Sequence, residues 1–113
     1  MSETLFTVKA ALFHPKARAV LKSFPENVRR ELGKAIFDLQ KGAKLSLPIS
    51  RPMPAVAPGV EELRVKDRTG AYRAFYFKKL AGAVLILHAF EKKTTKTPRR
   101  EIDLARTRLK EMI

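Results

Sequence analysis

Two hydrophobic periods divide this chain. In some stretches apolar residues recur every third or fourth position, and in others they alternate with polar ones or run together. Leu5 to Phe13, "LFTVKAALF", is short, apolar and rich in β-branched and aromatic residues, which predicts a first strand. His14-Pro15 interrupts it, and Pro15 suits the first turn of a helix. Ala17, Val20, Leu21 and Phe24 keep helical spacing, so a short amphipathic helix is expected over 15–23, closed by the turn Ser23-Phe24-Pro25. Val28, Leu32, Ala35, Ile36 and Leu39 then form one apolar stripe between Glu26 and Lys41. Arg29, Arg30, Lys34 and Asp38 cover its other side, and Gly42 is a natural stop. Two helices joined by a tight turn form a hairpin whose stripe needs a sheet to cover.

From Ala43 to Gly59 the pattern breaks. Pro48, Pro52, Pro54 and Pro58 are four of the chain's seven prolines, and they predict an extended, stiff loop. A connection between a helix and a sheet accounts for it as well as a ligand for a proline-binding domain does. Val60 to Lys66 reads as a strand, and Asp67-Arg68-Thr69-Gly70 as a hairpin turn. Ala71 to Lys79 is a second strand, and Leu80-Ala81-Gly82 turns again. Ala83 to Glu91 is apolar on both faces and so should be central. Thr97 is expected to cap a last helix with Pro98 in its first position and a stripe of Ile102, Ala105, Leu109 and Met112. The predicted fold is a single α+β domain over 1–113, ordered β-α-α-β-β-β-α, with a mainly antiparallel sheet packed against an N-terminal helical hairpin and a C-terminal helix.

Composition narrows the partners. Hydrophobic residues make up 45% of the 113, enough for a core. The absence of cysteine excludes a disulfide framework and thiol chemistry. The N-terminus lacks the basic start of a signal peptide, and no apolar run approaches the roughly 18 residues that span a bilayer, so a soluble cytoplasmic protein with no membrane partner is expected. Lys and Arg total 24 against 11 Asp and Glu, a formal net charge of +13. That excess points to a polyanion such as nucleic acid, while an acidic protein partner could also mask it.

Strand alternation says where the charge lands. Glu62, Arg64 and Lys66 share one face of their strand, opposite Leu63 and Val65. Arg73 shares a face with Phe75 and Phe77, and His88 shares one with Phe90 and Lys92. If Arg64, Arg73 and Lys92 emerge together, they make a cationic cluster beside aromatic rings, a surface suited to unstacked RNA bases and their phosphates. Duller roles stand beside these. Arg64 could pair with Glu61 or Glu62, Arg73 could pack its stem on the phenylalanines, the phenylalanines could be core covered by the helical hairpin, and His88 could be a hydrogen-bonded core histidine. No role is assigned to His14.

Other chemistries are pruned by what is missing. Two histidines and no cysteine do not suit a zinc site, no glycine loop for phosphate is present, and the acidic residues do not cluster as metal-dependent nucleases require. An enzyme with no metal and no cofactor would act through its cations, with or without His88. RNA cleavage by its own 2′-hydroxyl is such a reaction: the protein aligns the attack, stabilises the phosphorane and assists proton transfer.

The segments "GVEELRVKDRTGAYRAFYF" and "LILHAFEKKTTKTPRREIDLARTRLKEM" resemble the RelE/ParE toxin superfamily, above all its phage Gp49-like, HigB-type branch. The resemblance covers nearly the whole chain, and its most specific parts are "ELR", "YRAFYF" and "LHAFEKKTTKTP". It implies a toxin of a type II toxin–antitoxin system that cuts mRNA on the ribosome and is held silent by a small helix-turn-helix antitoxin. Carried onto this sequence, it implies Arg64 and Arg73 on the scissile phosphate and Lys92 on the transition state or leaving group. His88 falls where this branch has a histidine, and Lys66, Lys93, Lys96 and Arg99 become RNA-binding cations. No tyrosine or histidine follows Lys92, where some members carry one, so the general base is unassigned. The alternative within the superfamily is a ParE-like gyrase poison that is not a nuclease, and a third is a decayed protein that only binds RNA.

Overall fold

A computed structural model describes residues 8–113. The elements are β1 (Ala10–Phe13), α1 (Pro15–Ser23), α2 (Glu26–Gln40), β2 (Ser50–Pro52), β3 (Val60–Asp67), β4 (Gly70–Phe77), β5 (Ala83–Lys92) and α3 (Arg99–Met112). The strands form one sheet in the order β1-β5-β4-β3-β2. β1 is parallel to β5, and every other neighbouring pair is antiparallel. The first part of the expected opening strand, Leu5 to Thr7, lies outside the described residues. Among the described residues no helix is long and apolar enough to cross a membrane.

Both faces of the sheet are covered, each by the apolar stripe of a different helical element. The α1–α2 hairpin lays Leu21, Val28, Leu32, Ile36 and Leu39 on Leu63, Val65, Tyr72, Ala74, Tyr76 and Ile86. α3 lays Ala105 and Leu109 on Val60, Phe75, Leu85, Leu87 and Phe90, with Met53 and Val56 closing the side. Each large apolar side chain so buried contributes about 1.5–3 kcal/mol. Gly42 ends α2 with φ of 94°, a left-handed geometry that costs glycine nothing.

Three sequence expectations are corrected. The proline-rich connection is not all loop, because Ser50, Arg51 and Pro52 pair with Leu63, Glu62 and Glu61. Proline is tolerated there because β2 is an edge strand, with no further neighbour to receive its missing N–H. Thr97 does not cap α3: Pro98 occupies the cap position and the Thr97 hydroxyl is buried without a partner. The phenylalanines are core, but α3 covers them rather than the hairpin.

A bulge in β5 sets the geometry of the site. Tyr76 pairs with Ile86 and Phe75 with His88, so Leu87 is the extra residue. Leu87 and His88 therefore both face α3, Ala89 turns back to the hairpin, and Phe90 and Lys92 return to the α3 side.

Candidate functional site

Cross-strand register builds the site in rows on the α3 face of the sheet. Arg51, Glu62, Phe75 and His88 lie across β2, β3, β4 and β5 in one row. Arg64, Arg73 and Phe90 make the next same-face row, and Lys66, Ala71 and Lys92 the one after. Directly opposed residues hold their Cβ atoms about 4.5–5.5 Å apart, and diagonal neighbours are about 7–8 Å apart. Arg64, Arg73 and Lys92 thus stand on one face of the sheet, on three successive strands. α3 covers the lower rows and leaves the upper ones open as a groove of about 260 Å³, lined by Pro48, Arg64, Val65, Lys66 and Arg73.

Under this cluster sits a carboxylate. Glu62 is fully buried, and its Oε1 lies 3.2 Å from Arg51 Nε, 3.5 Å from Arg73 Nε and 3.6 Å from Arg64 Nε. Only the Arg51 contact is a hydrogen bond. Glu62 Oε2, Arg64 Nε and Arg73 Nε are buried with no hydrogen-bond partner. A lone buried carboxylate would cost several kcal/mol, and three guanidinium groups offset that cost. Three arginines on one glutamate leave a local excess of positive charge.

Burial and neighbouring charge both act on these cations. The Arg73 guanidinium has its pKa lowered, first by burial and then by Arg64 and Arg51, with Glu62 opposing. Lys92 is likewise held below its ordinary value, by loss of water and then by Arg73. Its ammonium donates to the Thr95 carbonyl at 2.8 Å, so the loop after β5 curls back over the strand end. Lys66, Lys93, Lys96 and Arg99 are exposed, Lys93 4.0 Å from Glu91 and Arg99 3.1 Å from Asp103.

His88 lies on the expected face but beneath it. Its Nδ1 accepts from Arg108 Nη1 at 2.7 Å, and its Nε2 donates to Glu101 Oε1 at 2.8 Å. Both ring nitrogens are committed to α3, so the imidazole anchors that helix rather than facing the groove. Burial, ahead of the opposing Glu101 hydrogen bond, lowers its pKa from the ordinary 6.5. The unfolded chain therefore binds the His88 proton more readily, and stability present above the unfolded value is lost as pH falls below it. Thermal denaturation should show the midpoint dropping as pH falls through and below the ordinary 6.5. His88→Gln should start from a lower midpoint with that dependence flattened; an unchanged slope would assign it to other groups.

The rings do not form a stacking platform. Phe75 is fully buried and Phe90 is 6% exposed, with centroids 5.4 Å apart edge to face, and His88 stacks on Phe90 at 5.4 Å. Sequence reasoning also missed Arg51 and the burial of Glu62. Alternation put Glu62 beside Arg64, and a glutamate set among Val60, Leu63 and Val65 signals a buried counterion. Nothing in "ISRPMP" signals an edge strand. A larger cavity, about 360 Å³, opens on the hairpin side around Glu61, Tyr76 and Lys78. Its polar floor is paired: Tyr76 and Glu61 both bond Ser50, Lys78 pairs with Glu61, and burial raises the Tyr76 hydroxyl to about 12. Among the described residues no three His, Cys, Asp or Glu side chains gather to hold a metal.

Residues 19–110 match the family model of the phage-derived Gp49-like proteins. Solved structures similar to this one include a mutant of the E. coli toxin RelE in the free state, at 15% identity and TM-score 0.58, covering 94% of this chain and 99% of that one. The isolated E. coli RelE toxin is similar at 15% identity and TM-score 0.55, over 93% and 99% of the two chains. A chain of the RelBE2 toxin–antitoxin complex of Mycobacterium tuberculosis is similar at 21% identity and TM-score 0.53, over 80% and 98%. At these identities the likeness is one of fold. No curated protein sequence gives a match.

Proposed function

The chain belongs to the phage-derived Gp49-like family, and on that membership and its RelE-like fold we propose that it is the toxin of a type II toxin–antitoxin pair. Its action is cleavage of mRNA in the ribosome without a metal ion, and the consequence is arrested translation. The observation that carries this is the row arrangement of Arg64, Arg73 and Lys92 above a buried carboxylate, open to solvent on one side.

The chemistry follows from what cations can do to a phosphodiester. Arg73 and Arg64 hold the two non-bridging oxygens, and a planar fork suits this better than a point charge. The 2′-oxygen attacks phosphorus as its proton leaves for a base, and the phosphorane gathers negative charge that both guanidiniums stabilise. The bond from phosphorus to the 5′-oxygen then breaks, leaving a 2′,3′-cyclic phosphate and a free 5′-hydroxyl. Lys92, its ammonium made a better proton donor by burial and by Arg73, gives the leaving oxygen its proton. Lys66, Lys93, Lys96 and Arg99 track the flanking phosphates. His88, bound to Glu101 and Arg108, fixes α3 and takes no proton from RNA. The general base comes from the ribosome or the message, since the site offers cations alone at its surface. A small helix-turn-helix antitoxin holds the toxin silent, and an acidic surface on it would meet the excess charge.

A reconstituted translation mixture tests this. Message is expected to be cut when ribosomes are present and to stay intact when they are left out. Intact message together with arrested DNA supercoiling would favour a gyrase poison instead.

A further inference from the structure

Glu62 is an odd residue to find under a phosphate site. It cancels part of the charge that would attract RNA, and one of its oxygens finds no hydrogen bond although the residue is fully buried. Its position explains the arrangement above it. Arg51, Arg64 and Arg73 come from three strands, and each brings its Nε within ion-pair range of the same carboxylate oxygen, at 3.2, 3.6 and 3.5 Å. A guanidinium held near a carboxylate through Nε can turn its terminal nitrogens toward a ligand; on Arg73 one of them, Nη1, donates to the Tyr72 carbonyl at 3.3 Å. Only Arg51 hydrogen-bonds the carboxylate; Arg64 and Arg73 are in ion-pair range but leave their Nε protons unused. Such loosely tied, desolvated groups gain partners when an anion arrives: a phosphate can draw the Arg64 fork outward, and the Arg73 fork at the cost of one 3.3 Å bond to the Tyr72 carbonyl.

Arg51 extends the site. It stands on the edge strand, 39% exposed at the side chain, diagonal to Arg64 on the same face of the sheet. The proline-rich segment thereby supplies a cation that the two central strands cannot, one strand further from Lys92.

Resting on the proposed RNA-cleaving site, we infer that Arg51 is a further phosphate-binding residue of that site, and that buried Glu62 is the positioning residue that sets the spacing of Arg51, Arg64 and Arg73. Glu62 touches no substrate. Its charge fixes where the forks point before RNA binds, which is the preorganisation that a transition state needs and that mere attraction does not supply.

Glu62→Gln keeps the shape and removes the charge. Single-turnover cleavage of ribosome-bound message should fall about a hundredfold, as expected for a small misplacement of the reacting groups. Binding of a short single-stranded RNA to the purified protein should stay equal or tighten, since a negative charge has gone. A residue needed only for the fold would lose both together. In amide and guanidinium NMR spectra, the Nε–H signals of Arg51, Arg64 and Arg73 should be distinct in the parent and merge toward exposed-arginine values in the variant. Arg51→Ala removes the one hydrogen bond to buried Glu62, so its thermal midpoint should fall; measured where the variant is still folded, it should reduce the slope of log affinity against log salt by about 0.7 for single-stranded RNA. Unchanged cleavage in Glu62→Gln, or an unchanged salt slope in Arg51→Ala, overturns the inference. If Glu62→Gln does not fold, Glu62→Asp, which retains charge but withdraws it by one methylene, should show the same loss of cleavage with RNA binding kept. Should Arg73→Ala and Lys92→Ala leave cleavage intact, the site itself is wrong. Should they abolish it while Arg51→Ala and Glu62→Gln do nothing, only this inference fails.

Discussion

Cells that express Arg73→Ala together with Lys92→Ala are expected to grow normally, with ribosome-dependent message cleavage lowered by about a thousandfold or more. Removing one preorganised donor from a charge-stabilising site typically costs about a hundred- to a thousandfold, and here a phosphate clamp and a proton donor go at once. The two residues belong to adjacent strands, diagonal to one another on the same face. Arg73 is 7% exposed and faces Glu62, so alanine there also leaves the carboxylate with fewer counterions. Arg73→Lys separates the two effects. It retains the charge but loses the fork, so stability should hold while cleavage still falls. Lys92→Ala alone, at a partly exposed strand end, should keep the thermal midpoint of the parent. Growth arrest that survives the double substitution would remove both residues from the site.

Phe75→Ala should cost about 3–5 kcal/mol of stability, a large part of what a domain this size possesses. The ring has no exposed surface, touches Phe90 edge to face and lies under Ala105 and Leu109 of α3. Its removal leaves a cavity that the sheet cannot collapse, because neighbouring rows are fixed by their register. Urea denaturation would show a lower midpoint with the parent slope. RNA affinity measured where the variant is still folded should not change. A base-stacking role predicts the reverse, lost affinity with unchanged stability.

Most of the fold was legible because the apolar periods are regular. The α2 stripe Val28, Leu32, Ala35, Ile36 and Leu39 is buried as its spacing predicts, and α1 spans the expected residues. β2 was hidden because three residues carry no period and two prolines nearby argue for a loop; its pairing is supplied by β3, across the turn at 53–59. Thr97 misled because capping chemistry depends on backbone direction, which the burial of its hydroxyl decides here. The site was legible in part. Alternation placed Arg64, Lys66, Arg73 and Lys92 on their faces, and only the bulge at Leu87 shows how Lys92 and Leu85 come to face the same way. Burial was the unreadable quantity. Glu62 and His88 occupy faces that the pattern assigned, yet whether α3 would cover them follows from where a helix after "KKTTKTP" lands, and no local signal encodes that.

The chemistry of the cut end tests the central claim most directly. Message recovered from translating ribosomes after brief exposure to the protein should carry a 2′,3′-cyclic phosphate upstream of the cut and a free 5′-hydroxyl downstream. A message with a single 2′-deoxynucleotide at the mapped position should not be cut there. Cleavage of that deoxy-substituted message, or products bearing a 5′-phosphate, would contradict a mechanism in which the substrate's own hydroxyl attacks within a cradle of arginines.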